Sequence, residues 1–284
     1  MYADRVATET LEPRRNPVSA GPRKVVSKDG TPIAVWRSGE GPPLVLIHGA
    51  AADHNRWAPV LQALEERFAV FAVDRRGRGR SGDATDYALE REYEDVVAVV
   101  ESAGAGVSVL GHSYGGICAL EAALLTDGIR KLVLYEPPMG YLKSAPHVVD
   151  RLHTLLEEGR RDELLGYFMR EVAGLPPDQV ELLRSLPAWE ARLDAADTIP
   201  REERASREYV FDPARFRDLD VPTLYLQGGD SSEPFEAAGE ALQEALPDCR
   251  VSVMPGQRHA AMDTATDLFT TQVLSFLEAP DRAR

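Results

Sequence analysis

A serine, a distant histidine and two carboxylates are the side chains of this sequence best placed by type and setting to do chemistry. Ser113 sits in Gly111-His112-Ser113-Tyr114-Gly115, a G-x-S-x-G run. An apolar, strand-like stretch over 107–110 precedes it and a helix-like stretch over 117–125 follows. Three fixed letters carry little weight alone; the strand–turn–helix setting gives them meaning. A serine held on a sharp elbow needs neighbours without a Cβ, so that strand and helix approach closely. The elbow presents Oγ at the carboxyl end of a sheet, and the following helix aims its positive end at developing negative charge. A neutral hydroxyl is a weak nucleophile and requires a base. His259, on a loop beyond the last strand-like run, is the candidate. The base in turn requires an anion to orient it and to stabilise the imidazolium.

The elements that must carry these groups alternate. Runs at 44–47, 68–73, 107–110 and 131–135 read as strands, and the continuous apolar run at 44–47 suits one buried on both faces. Helical patterns separate them; over 87–101, Leu89, Tyr93, Val96, Val97 and Val100 share one face. Asp29-Gly30 marks a hairpin turn opening the sheet. This pattern implies an α/β fold with a parallel sheet and helices on both faces. From 139 to 218 the strands stop, amphipathic helical stripes take over and prolines punctuate them, so the expectation is an inserted helical cap. The expected organisation is a poorly ordered tail over 1–22, a core formed by 23–138 and 219–284, and a cap over 139–218.

Composition narrows the function classes. The 284 residues carry a net charge of −14, which repels phosphate backbones and anionic lipid, so neither nucleic-acid nor membrane binding is expected. The two cysteines make no disulfide framework, Cys118 reading as buried packing. Without CxxC or HExxH, no metal and no cofactor are expected. The start of the chain has no apolar signal region, and the expected location is cytoplasmic.

With these residues in view, the chain resembles the α/β-hydrolase fold superfamily over about residues 23–279. The resemblance rests on HGAAADHNRW at 48–57, DRRGRGRSG at 74–82, GHSYGG at 111–116 and His259 after the last strand. It implies a mostly parallel eight-stranded sheet, a helical cap and a cofactor-independent serine hydrolase of the esterase or lactonase type. It also implies an oxyanion hole from the backbone N–H groups of Tyr114 and Ala50. In most relatives the acid follows the strand after the cap, three residues beyond a glycine. Here that strand ends Gly228-Gly229-Asp230-Ser231, which puts Asp230 one position early. Some lactone-cleaving relatives resemble this chain in placing a carboxylate at the end of the preceding strand, where Glu136 stands. Glu136 and Asp230 remain rivals, the balance leaning slightly to Glu136.

The remaining histidines have plainer readings: His112 as packing beneath the elbow, His48 as structural, and His54, His147 and His153 as loop or cap residues. Arg75, Arg76, Arg78 and Arg80 lack the lysine of a phosphate-binding loop and read as part of a family loop. Tyr141, Leu155, Phe168, Met169 and Trp189 of the cap are candidates for an apolar substrate pocket. The first reading is hydrolysis of a carboxylic ester, lactone or thioester, with a small acyl-bearing molecule as partner and a monomer or homodimer as assembly. The alternatives are C–C bond hydrolysis, cyclisation or elimination on the same site, or a ligand receptor of low turnover. Haloalkane dehalogenase and epoxide hydrolase chemistry fit poorly, since they place an aspartate where Ser113 stands.

Overall fold

The strands run alternately apolar to both sides of the chain, and a computed structural model places the two sets on opposite faces of one sheet. It describes residues 21–185 and 188–280. The eight strands are β1 (Arg23–Val26), β2 (Pro32–Ser38), β3 (Pro43–Ile47), β4 (Ala69–Asp74), β5 (Val107–His112), β6 (Ile129–Tyr135), β7 (Thr223–Gly228) and β8 (Cys249–Met254). Their order is β1-β2-β4-β3-β5-β6-β7-β8. β2 is antiparallel to both its neighbours, and the other pairings are parallel.

Because side chains alternate along a strand, Val45, Ile47, Val109, Leu132 and Leu134 face one core. Leu44, Leu46, Leu110, Val133 and Leu226 face the other. The first face is covered by α2 (Leu89–Ala103), α3 (Tyr114–Ala122) and α9 (Glu233–Ala245), the second by α1 (Ala58–Glu65) and α11 (Thr266–Glu278). A short helix, α10 (Ala261–Thr264), leads into α11. α2 buries Leu89, Tyr93, Val96 and Val100 as its periodicity predicts, while Val97 is only partly buried. It also buries Glu92 and Asp95, which apolar spacing could not reveal.

The helix after Ser113 starts earlier than the sequence pattern suggests, at Tyr114 rather than 117. Gly115 and Gly116 read as turn residues, yet they are helical. A Cβ on Gly115 would lie 2.4 Å from the carbonyl oxygens of both Ile47 and His48, so its bareness lets α3 lie against the end of β3.

Between β6 and β7 the described residues form five α-helices: α4 (Pro146–Glu157), α5 (Arg161–Glu171), α6 (Pro177–Arg184), α7 (Ala188–Asp194) and α8 (Ile199–Glu208). Prolines occupy the first turns of α4, α6 and α8, where the missing N–H costs nothing. These helices share a core of their own, which Ala51 of the β3 exit loop joins. The expected tail over 1–22 lies almost wholly outside the described residues.

The chain leaves β3 for β4 on one side, then returns to β5 on the other. The crevice at the carboxyl ends of β3 and β5 is therefore the switch point of the sheet, where open α/β folds place their ligands. The 48–57 loop and Ser113 flank it.

Candidate active site

Ser113 has φ 55° and ψ −126°, a strained conformation for a residue with a Cβ. The strain is held from both sides. Its N–H donates to Tyr135 O at 2.8 Å, and its carbonyl accepts from Gly116 N–H at 2.8 Å. Among the described residues the other non-glycine positive φ values belong to Ala51 (49°), Glu136 (45°) and Met139 (45°). They lie on the loops leaving β3 and β6, so backbone strain gathers around one crevice.

Tyr114 opens α3, and the first N–H of a helix has no partner within it. Among the described residues neither the Tyr114 nor the Ala50 N–H is donated to a backbone carbonyl. The Tyr114 ring is buried; its hydroxyl pairs with Tyr87 Oη at 2.7 Å.

His259 is carried to this crevice by the loop after β8, and several groups hold it there. His112 Nε2–H donates to His259 O at 3.1 Å, which leaves His112 Nδ1 without a partner. Burial, then the neighbouring His259, push the His112 pKa well below its usual value, so it stays neutral. The Tyr135 hydroxyl donates to Arg258 O and accepts from Ala261 N–H at 2.8 Å. The Phe235 ring stacks on the His259 ring with centroids 5.0 Å apart.

His259 Nδ1 lies 2.8 Å from Glu136 Oε2. The other oxygen of Glu136, which is fully buried, accepts from Gly228 N–H at 2.7 Å. Asp230 is exposed; its backbone N–H donates to Gln257 O at 2.9 Å. Of the two rival carboxylates, the structure thus brings Glu136 to the histidine. Nδ1 paired with a carboxylate carries a proton, and Nε2 is left to accept one.

The arginine run is a buried network. Arg75 grips Glu92 with Nε at 2.9 Å and Nη2 at 2.6 Å, and Nη2 also meets Glu202 of α8. Its Nη1 donates to Gly49 O at 3.2 Å, and its guanidinium lies over the Tyr114 ring at 4.5 Å. Burial opposes the charge on Arg75, but Glu202 and Glu92 outweigh it and raise its pKa well above the usual value. Arg76 makes paired contacts of 2.7 Å with Asp95 and one of 2.9 Å with Asp29. His48 Nδ1–H donates to Gly49 O at 2.8 Å and Nε2 accepts from Arg75 N–H at 3.2 Å.

One cluster among the described residues gathers metal-type ligand atoms: Asp53, His54 and Asp74, within 4.8 Å of one another. Asp74 is already engaged by Trp36 Nε1, His54 N, His54 Nδ1 and Arg80 N at 2.7–3.0 Å. These bonds tie β2, the 48–57 loop and the 74–82 loop together. They leave no vacancy that asks for an ion.

Of the expected pocket residues, Leu155, Phe168, Met169 and Trp189 are buried in the core of the inserted helices. Trp189 Nε1 donates to Asp162 at 2.8 Å, and Tyr141 is 43% exposed. A groove of about 1140 Å³ between α2 and α8 is lined by Tyr87, Tyr93, Glu121, Arg201 and Tyr209, among others. Neither Ser113 nor His259 borders it, so it is separate from the crevice at Ser113.

Sequence spacing missed the supports. Phe235, Tyr135 and the Arg75–Glu92–Glu202 set touch residues far away in the chain, and no local signal marks them.

A strained serine at a switch point, and a histidine–carboxylate pair whose imidazole lies 4.6 Å from the ring of His112, match a known family. The model of the alpha/beta hydrolase family matches residues 44–271. The chain belongs to the alpha/beta hydrolase family. An alpha/beta hydrolase structure from Sphaerobacter thermophilus is 36% identical, with a TM-score of 0.81, over 90% of this chain and 100% of that one. An esterase structure from Rhodococcus is 27% identical, with a TM-score of 0.75, over 92% and 99%. A bifunctional esterase/perhydrolase from Acinetobacter calcoaceticus is 28% identical over 90% of this chain and 99% of that one. Within this alpha/beta hydrolase no described helix is long and apolar enough to cross a membrane.

Proposed function

We propose that the protein is a serine hydrolase of carboxylic esters, lactones or thioesters, with Ser113 as nucleophile, His259 as general base and Glu136 as the orienting acid. The carrying observation is the 2.8 Å contact between Glu136 Oε2 and His259 Nδ1, which supports the reading together with the strained φ of 55° at Ser113. The named relatives include esterases, which supports ester substrates.

In the first half-reaction Ser113 Oγ attacks the acyl carbon and its proton passes to His259 Nε2. The carbonyl oxygen becomes an anion facing the N–H groups of Tyr114 and Ala50. Each such donor is worth a few kcal/mol in the transition state. The imidazolium is stabilised by the Glu136 carboxylate, which stays ionised. His259 then gives its proton to the leaving oxygen or sulfur as the bond to the acyl carbon breaks. In the second half-reaction water attacks the acyl carbon, loses a proton to His259, and the acid departs as Ser113 recovers its hydrogen.

The test is covalent labelling. A fluorophosphonate should modify the wild-type protein at Ser113, and a nitrophenyl ester should give a burst of nitrophenol equal to the enzyme present. Labelling elsewhere, or ester turnover unchanged in Ser113→Ala, overturns the proposal.

A further inference from the structure

The oxyanion hole proposed above draws its two N–H donors from separate stretches of chain, Ala50 on the β3 exit loop and Tyr114 at the start of α3. Such donors act without reorganisation only if they are aimed before the reaction begins. The Gly49–Ala50 peptide lies against the nucleophile, since a Cβ on Gly49 would stand 2.9 Å from Ser113 Cβ. Its carbonyl oxygen accepts twice, from His48 Nδ1–H at 2.8 Å and from Arg75 Nη1–H at 3.2 Å. A peptide is a rigid plane in which C=O and N–H point in opposite directions. Fixing the Gly49 oxygen therefore fixes the Ala50 hydrogen and turns it away from the guanidinium. Two donors on that oxygen also polarise the peptide, which strengthens its N–H as a donor.

The second donor is tied to the same side chain. The Arg75 guanidinium lies 4.5 Å from the centre of the Tyr114 ring. The Tyr114 hydroxyl meets Tyr87 Oη at 2.7 Å, the Tyr87 hydroxyl donates to Glu92 Oε1 at 3.1 Å, and Glu92 pairs with Arg75. The contacts thus close a ring that begins and ends at the guanidinium. Arg75 is itself fixed. It is 2% exposed, Glu92 holds Nε and Nη2, and Glu202 of α8 also holds Nη2. Those bonds leave Nη1 as the arm that reaches the β3 exit, to Gly49 O at 3.2 Å and, more weakly, to His48 O at 3.5 Å.

We infer that Arg75 is a positioning residue of the oxyanion hole: through the Gly49 carbonyl it aims and polarises the Ala50 N–H, and through the Tyr114 ring it keeps the second donor in step. The inference rests on the hydrolase reading above. Arg75 touches no reacting atom; its effect passes through a peptide plane and a ring. A planar guanidinium suits the task, because its fork meets Glu92 on one side while another nitrogen stays available for a carbonyl. Glu202 carries the arrangement into the inserted helices, since it reaches Arg75 from α8.

The test compares nitrophenyl acetate with its thionoacetate, in which sulfur replaces the carbonyl oxygen. Sulfur is larger and a weaker acceptor, so a hole aimed at oxygen favours the oxygen ester. The ratio of the two kcat/KM values reads the hole and does not depend on how much of the protein is folded. Arg75→Met should lower kcat on the oxygen ester about 10- to 100-fold, less than outright removal of a donor, with KM within about threefold. The ester-to-thionoester ratio should shrink by a similar factor. Arg75→Lys keeps a cation for Glu92 and Glu202 but has no second arm for Gly49, so it should shrink the ratio too; it carries the test should the neutral variant fail to fold. A purely structural role for Arg75 would lower both rates together and leave the ratio alone. A ratio at its wild-type value in the folded variants therefore overturns this inference and leaves the hydrolase reading standing. No turnover of any ester by the wild type, together with no labelling of Ser113, removes the hydrolase reading, and this inference falls with it.

Discussion

Replacing Glu136 by glutamine alters one property of the site and little else. The amide has the carboxylate's shape. Its oxygen can keep the bond from Gly228 N–H, now 2.7 Å. Its NH2 then faces His259 Nδ1, where an acceptor stood at 2.8 Å. Two donors cannot share that gap, so the imidazole must move its proton to Nε2. In that tautomer Nε2 cannot accept a proton from Ser113, and the imidazolium that would form has lost its counter-charge. An exchange of this kind in a serine triad costs roughly 10,000-fold in kcat, or about 5.5 kcal/mol of transition-state stabilisation. One hydrogen bond is kept and a buried charge removed, so unfolding free energy should move by no more than about 2 kcal/mol. Asp230→Asn serves as the control. That side chain is exposed, and its removal should leave kcat within about threefold. Steady-state hydrolysis of a nitrophenyl ester, alongside urea titration of each variant, gives both numbers. A folded Glu136→Gln protein within tenfold of wild type, or a collapse of kcat in Asp230→Asn, would refute the geometric argument.

Other perturbations reach the same crevice from different sides. In Gly49→Ala the new Cβ would lie 2.9 Å from Ser113 Cβ and 3.2 Å from His112 O; displacement of the nucleophile by such a contact should cost about 100-fold in kcat, and labelling of Ser113 at the wild-type rate would contradict this. Glu203, buried on α8 with Ser144 Oγ donating to it at 2.8 Å, has its pKa raised by burial from 4.5 to about 7. A raised acid binds its proton more tightly when folded, so this group lowers stability as pH rises from about 4.5 to 7, by about 3 kcal/mol in total. Glu203→Gln should therefore flatten the fall in melting temperature across that interval, and an unchanged pH profile would exclude the effect. Arg75→Met removes the paired partner of buried Glu92 and leaves Glu202 to Arg78 alone, which should cost about 3–5 kcal/mol in urea unfolding at pH 7; a loss below about 1 kcal/mol would mean the network is slack.

How much of this is legible in the sequence depends on how far apart the partners lie in the chain. The elbow is written locally, because Gly111, Ser113 and Gly115 fall within five residues and each glycine has a steric duty there. The sheet and its helices follow from apolar spacing for the same reason. Glu136 is half legible. Its place at the end of β6 can be read, but the choice between it and Asp230 cannot. That choice turns on which loop the Gly228 N–H faces, and a register of one residue moves Asp230 out to solvent. Arg75 is harder still. It reads as one of four loop arginines, and its partners Glu92 and Glu202 lie 17 and 127 residues away among the charges of amphipathic helices. Nothing in a helix sequence separates a solvated glutamate from one that answers a buried arginine.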